Sequence, residues 1–90
     1  MWYNQNKYSN LYFAIISKAK HREHLSQQSE KHHVQPKSLG GSNEKSNIVD
    51  LTLREHFICH RLLLKMVSGN NKRKMTYALY RMQHYGKNKS

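Results

Sequence analysis

Acidic residues and cysteine are both scarce in this 90-residue sequence. Five residues are Asp or Glu against 16 that are Lys or Arg, which gives a formal net charge of +11 with every histidine neutral. The one cysteine, Cys59, cannot form an internal disulfide. A count of one cysteine also excludes the paired C-x-x-C elements that hold many structural zinc ions. We therefore expect a small domain without disulfides or cysteine-bound zinc, in a reducing cytoplasm.

Long apolar runs are absent as well. The longest, such as residues 62–64, fall far short of the roughly 20 residues that a membrane span needs. Residues 1–7 are polar and aromatic where a secretory signal has an apolar core, so neither membrane insertion nor export is expected. The length predicts a single domain over residues 1–90. A domain of this size buries only roughly 60% of its unfolded surface, so we expect a thin core and no large substrate cleft.

The excess of basic residues predicts a polyanionic partner. Each Lys or Arg placed at a phosphate releases condensed counterions, so nucleic acid is the leading candidate and an anionic membrane surface is the weaker one. Solubility alone is a simpler explanation of the charge, but solubility does not require so one-sided a balance. The charge therefore favours binding to nucleic acid.

Apolar periodicity and turn residues predict helices at both ends and a two-stranded ribbon between them. An i, i+3, i+4 apolar stripe predicts a first helix over residues 8–20. Residues 30–35 are predicted to form a strand that ends at the only proline. The loop after it contains two adjacent glycines, which allow the chain to fold back so that residues 47–51 pair with the first strand.

The second half of the sequence has a helical pattern. Thr52 and Glu55 form a capping box, which predicts that a helix begins at Leu53. Its broad apolar face continues to Val67 and predicts the central core element. A further apolar stripe with basic residues around it predicts a third helix over residues 71–85.

Four histidines stand in a pattern that suits metal binding. His56 and His60 are four residues apart on the predicted helix, so both project from one face, as two ligands of one ion require. His32 and His33 point to opposite sides of a strand, so one can face the ion while the other faces whatever lies alongside. Cys59 projects about a hundred degrees from each neighbour on the helix, so core packing is the better explanation for it.

This pattern resembles the HNH nucleases, most closely the small phage-encoded homing-type endonucleases. The resemblance is carried by His32-His33-Val34-Gln35-Pro36-Lys37-Ser38-Leu39-Gly40-Gly41-Ser42, Asn47-Ile48-Val49-Asp50-Leu51 and Glu55-His56-Phe57-Ile58-Cys59-His60. It covers residues 30–66 and extends more loosely to the flanking helices. It implies an α+β fold of the ββα-metal type, with a two-stranded ribbon and a metal-bearing helix between N- and C-terminal helices.

The resemblance also implies roles for individual residues. His33 falls on the family's general base and Asn47 on the asparagine that pins the ribbon, so these two form the implied catalytic set. His32 and His56 fall on metal positions, the first of which is often aspartate in this superfamily. His60 corresponds either to a further metal ligand, as in colicin-type members, or to a group that assists the leaving oxygen, as in some homing members.

These residue types suit metal-dependent hydrolysis of phosphodiester bonds. A neutral imidazole, with an ordinary pKa of roughly 6.5, can take a proton from water at physiological pH. A divalent ion would act as a Lewis acid on the scissile phosphate, and the family implies 5′-phosphate and 3′-hydroxyl ends. Magnesium or manganese is expected, and zinc or nickel can also occupy such a site because imidazole ligands favour transition metals.

Basic residues around this pattern are candidate DNA contacts. They are Lys37, Lys45, Arg54 and Arg61 beside the histidines, and Lys72, Arg73 and Lys74 near the start of the third helix. Any one of them is equally well explained as a solvated charge, so the prediction concerns the group. His21, His24 and His84 are expected to be ordinary surface residues.

The expected function is that of a metal-dependent DNA endonuclease or nickase, acting in the host-cell cytoplasm if it is phage-encoded. Members of the family often carry an additional DNA-recognition segment, and 90 residues leave little room for one. A non-catalytic DNA-binding or accessory protein that keeps the HNH scaffold is therefore the alternative. An RNA-directed or toxin-type nuclease is the third hypothesis.

Overall fold

The computed structural model describes residues 1–23, 25 and 27–81 and has an α+β architecture. Its elements in chain order are helix α1 (Lys7–His21), strand β1 (Ser29–His33), strand β2 (Ile48–Thr52), helix α2 (Leu53–Met66) and helix α3 (Gly69–Arg81). The two strands pair in antiparallel orientation. The predicted α+β class, with a two-stranded ribbon and three helices, is confirmed for these residues.

The ribbon is shorter and shifted relative to the predicted strands. β1 begins at Ser29 and ends at His33, two residues before the predicted end. β2 begins one residue later than predicted, because Asn47 lies in a 3-10 turn and its backbone carbonyl accepts the Val34 N–H at 2.8 Å. The register pairs His33 with Ile48. The histidines of β1 therefore lie beside the start of β2.

The flanking helices begin earlier than the apolar pattern predicted. α1 starts at Lys7 because the side chain of Asn6 accepts hydrogen bonds from the backbone N–H groups of Tyr8 and Ser9, at 2.9 and 3.0 Å. α3 starts at Gly69, two residues before the prediction. The predicted end of this helix at residue 85 falls outside the described residues.

Helix α2 begins where the capping box predicted. The Thr52 hydroxyl accepts the Glu55 N–H at 3.1 Å, and the Glu55 carboxylate accepts the Thr52 N–H at 2.9 Å. Arg22, at the end of α1, also donates to both oxygens of Glu55, at 2.7 and 2.9 Å. This pairing lowers the pKa of Glu55 to about 2. The same Arg22 donates to the carbonyl of Asp50, so one side chain joins α1, β2 and α2.

The core lies between α1, the ribbon and α2, with α3 packed against α2. Its buried members are Tyr12, Ile16, Ala19, Val49, Leu51, Cys59, Leu63, Met66, Val67 and Met75. Cys59 has no exposed surface and packs in this core, as predicted. Within the described residues, no helix is both long and apolar enough to cross a membrane.

The loop between the strands is closed by Asn47. The Asn47 amide donates to the carbonyls of Gln35 and Ser42, at 3.0 and 2.8 Å, and its oxygen accepts the Gln35 N–H at 2.8 Å. Gly40 has a φ of +97°, a conformation that other residues rarely adopt. A Cβ on Gly41 would lie 1.7 Å from the Gln35 carbonyl oxygen, so no side chain fits there.

Replacing Gly41 by alanine should therefore destabilise the domain. The added methyl group overlaps backbone atoms, so the loop and the Asn47 contacts must move, and we expect a loss of about 1–3 kcal/mol or more in the free energy of unfolding. Urea denaturation measures this loss in the free energy of unfolding. Gly69→Ala is the matched control, since nothing lies within 4 Å of that position and only its positive φ opposes the change. Equal losses for both variants would contradict the steric argument.

Candidate metal centre

Three histidines from two elements converge beside the ribbon. β1 supplies His32, and one face of α2 supplies His56 and His60. One ligand nitrogen from each ring lies within 4.8 Å of those of the other two. The ring centroids are 4.8 Å apart for the α2 pair, and His32 lies 5.2 and 5.5 Å from them. The helical i, i+4 spacing and the strand alternation thus bring together the predicted set.

Burial keeps two of these rings uncharged. His32 is only 3% exposed, and burial, with a smaller contribution from the other histidines, lowers the pKa of its imidazole to about 3. Burial and the neighbouring His56 lower the pKa of His60 to about 4. Both imidazoles are therefore neutral at physiological pH, which is the protonation state that binds metal ions.

The nitrogen atoms of the cluster fit a metal ion. His56 Nδ1 is 2.7 Å from a carboxylate oxygen of Glu30, and His32 Nε2 is 2.7 Å from the Tyr12 hydroxyl. His60 Nδ1 is buried and has no hydrogen-bond partner among the described residues. A buried, unpaired nitrogen beside two other imidazoles is costly unless something binds it. A three-imidazole set of this kind suits a divalent ion of the first transition series.

His33 lies outside the cluster but lines the same cavity. The cavity has a volume of about 270 Å³ and is lined by Lys31, His32, His33, Pro36, Lys37, Ser38, His56, His60, Met75 and Ala78. His33 is partly buried, and its Nε2 lies 2.8 Å from the side-chain oxygen of Asn43 in the loop between the strands. The alternation along β1 thus places one histidine in the cluster and the next at the opening.

Most of the predicted DNA contacts lie away from this cavity. Lys37 lines it, and Lys74 reaches its rim by donating to the Ser38 carbonyl at 3.1 Å. The other basic residues near the histidines in sequence line other grooves, and their contact with DNA stays a prediction. Lys45 lines a groove beside Lys20 on another face. Arg54 and Arg61 line a separate groove along α2, and Lys72 and Arg73 lie on the outer side of α3.

The remaining histidines are only partly described. His21 is exposed, as expected, and its Nδ1 lies 2.8 Å from the Ser17 carbonyl oxygen within α1. His24 and His84 fall outside the described residues, so the surface positions expected for them stay predictions.

Three residues that contact the histidines were not identified from the sequence. Glu30 precedes His32 by two positions, so strand alternation places both on one face, and this signal could have found it. Tyr12 belongs to an apolar stripe that gives no sign of a polar contact. Asn43 reaches His33 through a loop whose course the sequence does not specify.

Sequence comparison finds relatives of the chain among the endonucleases of a bacteriophage. The chain is 49% identical over 59 residues to probable mobile endonuclease E of Enterobacteria phage T4, a match that covers 66% of this chain and 42% of that protein. Probable mobile endonucleases D and B of the same phage are 37% identical over 83 residues and 40% identical over 63 residues. These matches cover 88% and 66% of the chain, but 31% and 24% of those proteins.

The chain therefore spans less than half the length of these relatives. No protein-family model matches it. No solved structure matches it either. The sequence similarity confirms the predicted resemblance to phage endonucleases: the chain is homologous to the probable mobile endonucleases of phage T4 over part of their length.

Proposed function

We propose that the chain is a metal-dependent HNH nuclease domain that hydrolyses phosphodiester bonds of DNA to 5′-phosphate and 3′-hydroxyl ends. The observation that carries the proposal is the convergence of three imidazoles from β1 and α2, with a fourth, His33, at the same cavity. The net charge of +11 and the endonuclease names of the relatives support DNA as the substrate. On this proposal, β1, β2 and α2 form the ββα-metal unit.

In this mechanism His32, His56 and His60 would hold the ion. When bound, a divalent ion supplies Lewis acidity at the scissile phosphate and stabilises the charge that develops on the leaving oxygen. Magnesium or manganese is the expected ion in the cell. Zinc and nickel suit imidazole ligands better than magnesium does, so they would also occupy the site when supplied.

His33 would act as the general base. It stands beside the cluster without belonging to it, so its imidazole is free to take a proton from an attacking water. Asn43 orients the ring through the contact at Nε2. Asn47 would act indirectly, because it ties the loop that carries Asn43 to the end of β1.

The substrate backbone would approach the cavity opening. Lys37 lines the cavity and Lys74 sits at its rim, so both can contact phosphates next to the scissile bond. Lys72 and Arg73 on the outer side of α3 would contact phosphates farther along the strand. Arg54 and Arg61 line a separate groove along α2, so on this proposal they would contact DNA away from the cleavage site. Acting on phage or host DNA, the domain would work in the host-cell cytoplasm.

Incubation of the purified chain with supercoiled plasmid tests the proposal. With Mg²⁺, Mn²⁺, Zn²⁺ or Ni²⁺ supplied singly, we expect at least one ion to support nicked or linear product, and excess chelator to abolish it. End-labelling should find 5′-phosphate termini. A matched RNA substrate should be cut more slowly than DNA. Faster cleavage of RNA would favour the RNA-directed hypothesis instead.

The alternative of a non-catalytic DNA-binding protein predicts a different outcome. Binding would depend steeply on salt, because it rests on the basic surface alone. It would be unaffected by chelator, and no product would form with any ion. That combination would overturn the nuclease proposal while leaving DNA binding in place.

A further inference from the structure

The buried hydroxyl of Tyr12 on α1 has no role in the proposed mechanism, yet it contacts the three-histidine cluster. Tyr12 has no exposed surface, and its ring packs edge-on against His32 with centroids 5.9 Å apart. Its oxygen lies 2.7 Å from His32 Nε2 and 2.6 Å from the carbonyl oxygen of Val34. The hydroxyl is thus held between a candidate ligand and the backbone just after β1.

The direction of these two hydrogen bonds follows from the groups that form them. A backbone carbonyl only accepts, and a tyrosyl hydroxyl carries a single proton, which it donates to Val34. A tyrosyl hydroxyl keeps its proton at neutral pH. The same oxygen must therefore accept from His32, and Nε2 must carry the hydrogen. In a neutral imidazole this leaves Nδ1 with the free lone pair.

We infer that Tyr12 is a positioning residue that fixes His32 in its Nε2–H form and thereby makes Nδ1 its metal-binding atom. The inference rests on the proposed function, because it assigns the ligand atom of the proposed centre. Metal-binding histidines usually donate their second N–H to a carboxylate, a carbonyl or water, which sets the ring's orientation and tautomer. Here a tyrosyl hydroxyl stands between the imidazole and the carbonyl.

His56 shows the complementary arrangement within the same cluster. Glu30, as a carboxylate, only accepts, so a hydrogen lies on His56 Nδ1, and the form of this ring that binds a metal ion has its lone pair on Nε2. The strand histidine and the helix histidine thus offer different nitrogens to one ion. The two partners also come from different elements, since Glu30 belongs to β1 and Tyr12 to α1. The N-terminal helix is thereby a functional part of the centre as well as a packing element.

Imidazole NMR on the metal-free 90-residue chain tests the tautomer directly. Long-range ¹H–¹⁵N correlation distinguishes protonated from bare ring nitrogens, and we expect His32 to be protonated at Nε2 in the wild type. Tyr12→Phe keeps the ring but removes the acceptor, so His32 should populate the Nδ1–H form. Titration with Co²⁺, followed by visible absorption, should show about 10–100-fold weaker binding in this variant.

Ser9→Ala is the matched control on the same helix. Ser9 belongs to the cap of α1, so this change weakens the helix without touching His32. It should lower the melting temperature and leave the tautomer and the Co²⁺ affinity at wild-type values. If Tyr12 only stabilised the fold, Tyr12→Phe would resemble Ser9→Ala, with the tautomer of His32 and the Co²⁺ affinity unchanged.

Failure of the inference is distinguishable from failure of the proposed function. A wild-type His32 protonated at Nδ1, or a Tyr12→Phe variant with unchanged tautomer and Co²⁺ affinity, overturns the role of Tyr12. A wild-type chain that shows the Nε2–H form but binds no Co²⁺ overturns the metal centre and, with it, the assignment of Nδ1 as a ligand atom.

Discussion

Replacement of His33 by alanine is expected to lower the cleavage rate by about 10²–10⁴-fold, the usual contribution of a positioned general base. His33 lies outside the three-histidine cluster, and within the described residues its side chain hydrogen-bonds to the exposed Asn43. The variant should therefore fold and bind metal ions as the wild type does. Single-turnover assays on plasmid, at saturating ion and enzyme, measure the chemical step.

Two further variants make this result specific. His21→Ala removes an exposed histidine of α1 and should leave the rate unchanged. His56→Ala removes a member of the cluster and should lower both the rate and the Co²⁺ affinity. A His33→Ala variant that keeps the wild-type rate would contradict its role as base. One that loses Co²⁺ binding would show that His33 belongs to the metal site instead.

Local sequence patterns predicted much of this arrangement. The capping box located the start of α2, and the i, i+4 spacing of His56 and His60 placed both on one face. Strand alternation predicted that only one of His32 and His33 joins the helix histidines, and His32 is the one in the cluster. These features depend on residues within about four positions of each other, whose geometry the backbone fixes. The pairing of the two strands added the long-range step that brings His32 to the helix.

Contacts between distant segments could not be predicted in the same way. Tyr12 lies 20 residues before His32, and its hydroxyl meets the ring only because α1 packs against the ribbon and α2. Arg22 reaches Glu55 across 33 residues for the same reason. The positions of basic residues around the cavity also depend on how the helices pack, so adjacency to a histidine in sequence could not show that Arg54 and Arg61 line a separate groove.

The metal-free domain should lose stability as the pH falls from about 6.5 to 4.5. The folded pKa values of His32 and His60 are about 3 and about 4, below the ordinary value of 6.5 that applies to the unfolded chain. Between these values the unfolded chain binds protons that the folded chain excludes, so acid favours unfolding. Each group contributes about 1.4 kcal/mol per pH unit within its window, so the pair accounts for several kcal/mol. For a small domain this is a large part of the total stability.

Urea denaturation in the presence of chelator, repeated at half-unit steps of pH, measures this dependence. His60→Gln removes one titrating group and should roughly halve the slope between pH 6.5 and 4.5, whereas the exposed His21→Gln should leave it unchanged. Glu55 titrates in a different window. Its folded pKa of about 2 gives stability that is present above the ordinary carboxylate value and is lost only as the pH falls from about 4.5 toward 2. A free energy of unfolding that stays flat from pH 6.5 to 4.5 would show that the two rings are not held neutral, and the fit of the cluster to a metal ion would lose its electrostatic basis.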